Sequence, residues 1–158
     1  MLQRIQSLFL AITTLGMGGF IALPIWQKIA TDGVQEASMT AFYLTHQTTA
    51  VQSTVLPVFY LAGMAALVAV LSAFAIFKYR NRLLQSALCA VNSIFMTVIL
   101  AATVYQTFYK AAKWFDPEVT GDYLTGFYAL VIAMLANVLA NRFIRRDERL
   151  VKESNRMR

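Results

Sequence analysis

The residue types that most often perform chemistry are scarce in this chain of 158 residues, which contains one cysteine, Cys89, and one histidine, His46. One cysteine cannot form an intramolecular disulfide, and neither residue has a second copy with which to hold a zinc ion. His46 with Asp116 or Glu118 is the best available acid–base pair for catalysis. Motifs of hydrolases, zinc peptidases and dinucleotide-binding proteins are missing from the sequence. We therefore expect a protein that is not an enzyme, without catalytic residues, metal or cofactor.

The amino-acid composition indicates the class of protein to which this chain belongs. Apolar residues make up 58% of the chain and charged residues 14%, against roughly 45–50% and ~25% in soluble domains. So few charges cannot cover the surface of a soluble globule. The composition therefore argues against a soluble enzyme, a disordered chain and a nucleic-acid-binding module, despite the net charge of +6, and it indicates an integral membrane protein.

Four nearly uncharged runs are long enough to cross ~30 Å of hydrocarbon as helices. The predicted spans are about 5–26, 55–77, 83–108 and 123–144. The first run exceeds the apolar core of a signal peptide and lacks an A-x-A cleavage site, so we favour an uncleaved helix over a signal peptide. The prediction is an all-α membrane protein, a four-transmembrane-helix bundle forming a single domain over residues 1–158.

The connections between the spans alternate in charge, and this alternation predicts the orientation. Only three of the 14 Lys and Arg residues lie in the connections 27–54 and 109–122. Cytoplasmic segments carry the Lys/Arg excess, so both termini are predicted to be cytoplasmic, the basic tail 145–158 included. The residues expected to fix this topology and to contact anionic headgroups are Arg4, Lys78, Arg80, Arg82, Arg145, Arg146 and Arg149.

The first outer loop, residues 27–54, is the longest connection and the largest surface available to an external partner. Residues 34–49 contain β-branched and aromatic residues with partial alternation, so we expect a short strand or hairpin there.

The predicted spans have no ionisable residue in their central parts, which disfavours an ion-coupled transporter. Three polar residues at depth, Asn92, Thr97 and Asn137, are predicted to make contacts between helices. Small residues allow helix backbones to approach closely. Close packing is expected at Gly16, Gly19, Ala62, Ala66, Ala69 and Ala73. The alanine stripe serves either the internal bundle, which we favour, or an external partner helix.

The first seven residues, MLQRIQS, resemble the opening of a family of small four-span membrane proteins from Bacteroidota that is classed as a domain of unknown function. Its members resemble this chain in an opening M-x-Q-R-I-Q that leads directly into the first helix, in length, in a polar first outer loop and in a basic C-terminal tail. The resemblance implies a protein of the bacterial inner (cytoplasmic) membrane. It implies no activity, substrate or catalytic residue.

These observations support three hypotheses of function. The leading one is a non-enzymatic accessory or scaffolding subunit of a larger inner-membrane complex, with other membrane subunits and anionic lipids as partners and no nucleic acid. The alternative is a small-molecule or lipid carrier or channel that uses a polar seam through Asn92, Thr97 and Asn137. The third is a membrane enzyme acting on lipid or quinone, which depends on His46.

Overall fold

The computed structural model describes residues 2–31, 33–48, 54–78, 81–115 and 118–156. The four long helices in these ranges are α1 (Leu2–Ala22), α2 (Phe59–Phe77), α3 (Arg82–Tyr105) and α4 (Thr125–Arg156). The strands are β1 (Trp26–Ile29), β2 (Gln35–Met39), β3 (Tyr43–Thr48), β4 (Thr54–Pro57) and β5 (Asp122–Tyr123). All four helices are long and apolar enough to cross a membrane, which confirms the predicted helices.

The helices form a ring in which α1 packs on α2 and α4, and α3 completes the bundle between α2 and α4. Each helix turns large apolar side chains into the centre, among them Phe20, Leu61, Met96 and Leu130, and all four are fully buried. Such burial removes the side chains from contact with lipid and places them in dense van der Waals contact, which holds helices together where no hydrophobic drive exists between them.

A five-stranded antiparallel sheet in the order β4-β3-β2-β1-β5 covers one end of the bundle. The hairpin predicted over 34–49 is confirmed as β2 and β3, but the sheet is larger than expected, so the all-α description is incomplete. The opposite end carries the C-terminal part of α4. We call the two ends the sheet end and the arginine end.

The sheet also changes the ends of three predicted spans, the fourth span among them, because its expected first residue, Tyr123, belongs to β5. The chain leaves α1 before Pro24 and enters β1 at Trp26, whereas the span was expected to continue to residue 26. At the other side of the sheet, residues 54–57 form β4 instead of beginning the second span at residue 55. The reason is that residues of these strands, such as Trp26, Val55 and Leu56, are as apolar as residues of a span, so hydrophobicity alone does not separate them from the adjoining helix.

One face of the sheet lies on the helices because side chains alternate along a strand. Trp26 pairs with Met39, which pairs in turn with Leu44, and these three side chains are buried. The opposite face is polar: the Gln27 amide donates to Glu36 at 2.8 Å. The sheet is therefore the half-solvated cap of an apolar bundle.

Gly126 joins this cap to the bundle. Its N–H donates to the Pro24 carbonyl at 2.9 Å, so the start of α4 lies directly against the chain that leaves α1. A Cβ at this position would lie 2.7 Å from the Pro24 oxygen. The close approach of the two backbones requires glycine.

Candidate functional site at the sheet end

A cleft of about 480 Å³ opens at the sheet end between the edge of the sheet and the segment that follows α3. Its walls include Trp26, Thr107, Phe108, Lys113, Gly121 and Tyr123. Apolar clefts with a few convergent polar groups are typical ligand sites. This cleft therefore has the shape and lining of a binding site.

A change in helical geometry builds one wall of the cleft. After Tyr105 the chain continues as a π-helical segment, Gln106–Lys110, and then as a 3₁₀ turn, Ala111–Lys113. Short π-helical segments widen a helix and are frequent at functional sites. Here the segment carries Thr107 and Phe108 into the cleft.

Two of the hydroxyl groups in the lining, those of Thr107 and Tyr123, are hydrogen-bonded to each other. Thr107 Oγ1 is 3.1 Å from the carbonyl oxygen of Thr103 and 3.1 Å from Tyr123 Oη. When the threonine donates to this carbonyl, the tyrosine donates to the threonine, and lone pairs of Tyr123 Oη are left for a donor on a ligand. The pair can orient a ligand, but neither group is a strong acid or base.

Gly121 and Trp26 form the opposite wall. A Cβ added at Gly121 would overlap the Trp26 indole, so only glycine lets the loop pass at this distance. Trp26 pairs across the sheet with Tyr123, which itself stacks on Phe127 at 4.2 Å between ring centroids. Backbone pairing thus holds two aromatic residues of the lining, Trp26 and Tyr123, side by side.

Lys28 fixes the position of the segment that follows α3. Its ammonium group is buried and donates to the carbonyl oxygens of Ala112 at 3.1 Å and Phe115 at 2.5 Å. Carbonyls at the C-terminal end of a helical segment favour a cation, and the Phe115 ring lies 4.7 Å from the same ammonium. From the sequence, Lys28 is only a lysine of the first outer loop. The available signal of its burial is its position two residues after Trp26, because residues i and i+2 of a strand share one face.

His46 has a packing role in the same layer. It pairs across the sheet with Ala37, which pairs with Lys28, so the lysine and the histidine share one face. The imidazole stacks on Trp114 at 5.2 Å and on Phe115 at 5.4 Å between centroids. Its Nε2 lies 3.1 Å from the Gln35 amide oxygen. Asp116, one proposed catalytic partner, lies outside the described residues.

The polar residues expected between the helices do not form one seam. Asn137 on α4 donates to the Cys89 carbonyl at 2.8 Å and to Ser93 Oγ at 2.9 Å, both on α3. Asn92 instead donates to Ser72 on α2 at 2.9 Å. Thr97 departs from the prediction, because its side chain is exposed and donates to the Ser93 carbonyl of its own helix.

The small residues expected to pack closely also differ in their surroundings. Gly16 and Gly19 lie against α4, where a Cβ on Gly16 would be 2.9 Å from the Ala133 Cβ. On α2 the buried face follows Ala65 and Val68 instead of the predicted stripe. Of that stripe, Ala62 is buried, Ala69 and Ala73 are half-buried and Ala66 is exposed.

The basic residues expected to fix topology have different surroundings at the arginine end. Arg82 holds α4 to α3 through Asp147, with 3.2 Å between Nη2 and the carboxylate. The Arg145 Nε lies 3.4 Å from Ser86 Oγ of α3. Lys78, Arg146 and Arg149 are exposed. Arg80 and the side chain of Arg4 lie outside the described residues.

Residues 2–157 match the model of a protein family described as a domain of unknown function (DUF4293). The chain belongs to this family. Membership confirms the resemblance seen in the opening MLQRIQS, and it extends over nearly the whole chain, so the sheet and the cleft lie within the DUF4293 domain. A comparison with curated proteins gave no match.

The chemistry available to this DUF4293 protein follows from its geometry. Among the described residues, His, Cys, Asp and Glu side chains do not gather in the groups of three that would hold a metal ion. The cleft offers apolar walls, the hydroxyl groups of Thr107, Thr120 and Tyr123, and the side chain of Lys113. Such a lining favours binding an apolar or amphiphilic group.

Proposed function

We propose that this protein is a non-enzymatic accessory or scaffolding subunit of a larger assembly in a bacterial inner membrane. Other membrane subunits and anionic lipids are its partners. The observation that carries the proposal is the open apolar cleft at the sheet end, which would accept apolar side chains of a partner segment lying at the membrane surface.

The rest of the bundle supports a structural role. Asn92 and Asn137 are fully buried and donate hydrogen bonds to neighbouring helices. Thr97 is exposed and donates only within its own helix, which argues against the carrier seam that would need all three residues along one path. Polar groups used between helices stabilise a single arrangement of the bundle.

The orientation belongs to the same proposal. The arginine end carries Arg142, Arg145, Arg146 and Arg149 within eight residues of α4. We place this end in the cytoplasm because the Lys/Arg excess stays there. The sheet end and its cleft then face the periplasm.

Site-specific photocrosslinking in living cells tests the subunit role. A photoreactive amino acid at Phe108, an exposed wall residue of the cleft, should capture a defined membrane protein. The same amino acid at Val55, exposed on β4 at the far edge of the sheet, is the matched control. Capture of the same proteins from both positions, or only of lipid from Phe108, would count against a partner in the cleft.

A second candidate is binding of a small amphiphile in the same cleft. The Thr107–Tyr123 hydroxyl pair within apolar walls favours it, since these groups suit a ligand with a polar head and an apolar body. In a Trp114→Phe protein, Trp26 is the one remaining tryptophan and reports on the cleft. A brominated fatty acid should quench its fluorescence, and an added Thr107→Val change should weaken the binding. Quenching that is unaffected by Thr107→Val would reject the cleft as the site.

A further inference from the structure

Four arginines form one stripe at the arginine end of α4. Arg142, Arg145, Arg146 and Arg149 follow the i, i+3, i+4, i+7 spacing of a single helix face and line one recess of about 400 Å³. The stripe is about 10.5 Å long at the helical rise of 1.5 Å per residue. This length allows more than one phosphate group to contact it.

Two acidic residues of α4 lie near the stripe, and one of them, Glu148, stands three residues after Arg145, a neighbouring position on the helix surface. Asp147 is held by Arg82 of α3, and Glu148 follows the buried Ile144 by one turn. Among the described side chains, Arg142 and Arg146 have no carboxylate partner. Their guanidinium groups are therefore available to an external anion.

The same face of α4 is apolar one turn earlier. Leu135 is 61% exposed and Val138 is 57% exposed, and Arg142 follows them at i+7 and i+4. An acyl chain can lie along this apolar part while a phosphate reaches the stripe. The face thus matches a phospholipid in both parts, and a soluble anion would use only the arginines.

We propose that the arginine stripe of α4 binds an anionic phospholipid, with a preference for a headgroup that carries two phosphates. A guanidinium group can donate two parallel hydrogen bonds to two oxygens of one phosphate. Four arginines therefore match two phosphates better than one. Basic recesses at the cytoplasmic side of membrane helices are known to take such headgroups. The Ser86 hydroxyl near Arg145 helps to hold the middle of the stripe in place.

Lipid binding to the full chain in detergent, followed by native mass spectrometry, tests the proposal. The probes are cardiolipin with two phosphates, phosphatidylglycerol with one, and zwitterionic phosphatidylcholine. We expect that order of affinity. Arg142→Gln with Arg146→Gln should weaken cardiolipin binding about 30-fold. Each juxtamembrane arginine contributes about 1 kcal/mol to binding, or roughly a factor of five, and two arginines are removed. The lipid-free melting temperature should stay unchanged, because both residues are exposed.

Lys110→Gln with Lys113→Gln is the matched control, since it removes the same charge from exposed positions at the sheet end. It should leave cardiolipin affinity unchanged. Equal losses in both double variants, or equal affinity for all three lipids, would overturn the proposal. Displacement of cardiolipin by millimolar pyrophosphate would overturn it in favour of a soluble anion. The proposal rests on the orientation and the lipid partners given under the proposed function; its failure would remove anionic lipids from the partners, and the subunit role, which depends on the cleft at the opposite end, would stand or fall by the photocrosslinking.

Discussion

Replacing Gly16 by alanine tests the closest contact between α1 and α4. The new Cβ would lie 2.9 Å from the Ala133 Cβ and 2.9 Å from the Ala129 carbonyl oxygen. Carbon atoms in contact normally keep about 3.5–4.0 Å, so the helices must separate locally by roughly 0.6–1.1 Å. Overpacking of this kind costs about 1–3 kcal/mol.

Gly18→Ala is the matched control, because a Cβ at Gly18 meets nothing within 4 Å. Both changes gain about 1 kcal/mol of helix propensity, which cancels in the comparison. Gly16→Ala should therefore have a free energy of unfolding about 1–3 kcal/mol below that of Gly18→Ala.

The assay is reversible unfolding in mixed micelles with increasing denaturing detergent, followed by circular dichroism. A double variant, Gly16→Ala with Ala133→Gly, should recover part of the loss, since it relieves the carbon contact but leaves the Ala129 oxygen in place. Equal stability of the two alanine variants, within about 0.5 kcal/mol, would refute the close approach of α1 and α4.

Three further predictions use the same unfolding assay. Asn137→Ala removes two hydrogen bonds to α3 and should cost about 1–2 kcal/mol, whereas Thr97→Ala, exposed and bonded within its own helix, should stay within about 0.5 kcal/mol; equal losses would contradict the assignment. Lys28→Met leaves two carbonyls without their donor and should cost about 2–3 kcal/mol, while Lys113→Met at an exposed position should change little. Gly126→Ala should cost about 1–3 kcal/mol, because the Cβ meets the Pro24 backbone; an unchanged midpoint would show that the backbones separate freely.

The helices could be predicted from sequence because a membrane span needs only length and hydrophobicity. Their faces could not. On α2 nearly every residue is apolar, so both the predicted stripe through Ala66 and the buried stripe through Ala65 have helical spacing. On α3 polarity did not indicate the exposed face, because Asn92 is buried and Thr97 is exposed. Hydrophobicity places such a helix in lipid, and packing against its neighbours decides how it is rotated.

The cleft, too, depends on packing between segments that the sequence does not show to be neighbours. Its walls come from β1, from the π-helical segment after α3, and from the loop and strand before α4, and β1 is distant in the chain from the other two. Only the pairing of Trp26 with Tyr123 and the burial of Lys28 bring them together.

The sequence by itself determined that four segments form helices able to cross a membrane and that basic residues gather at one end, because hydrophobicity and charge are properties of the residues in order along the chain. The tertiary structure decided which side chains meet: the sheet over the bundle end, the buried lysine, the cleft and the outward arginine stripe. These depend on contacts between distant residues, and a local pattern carries no information about its partner.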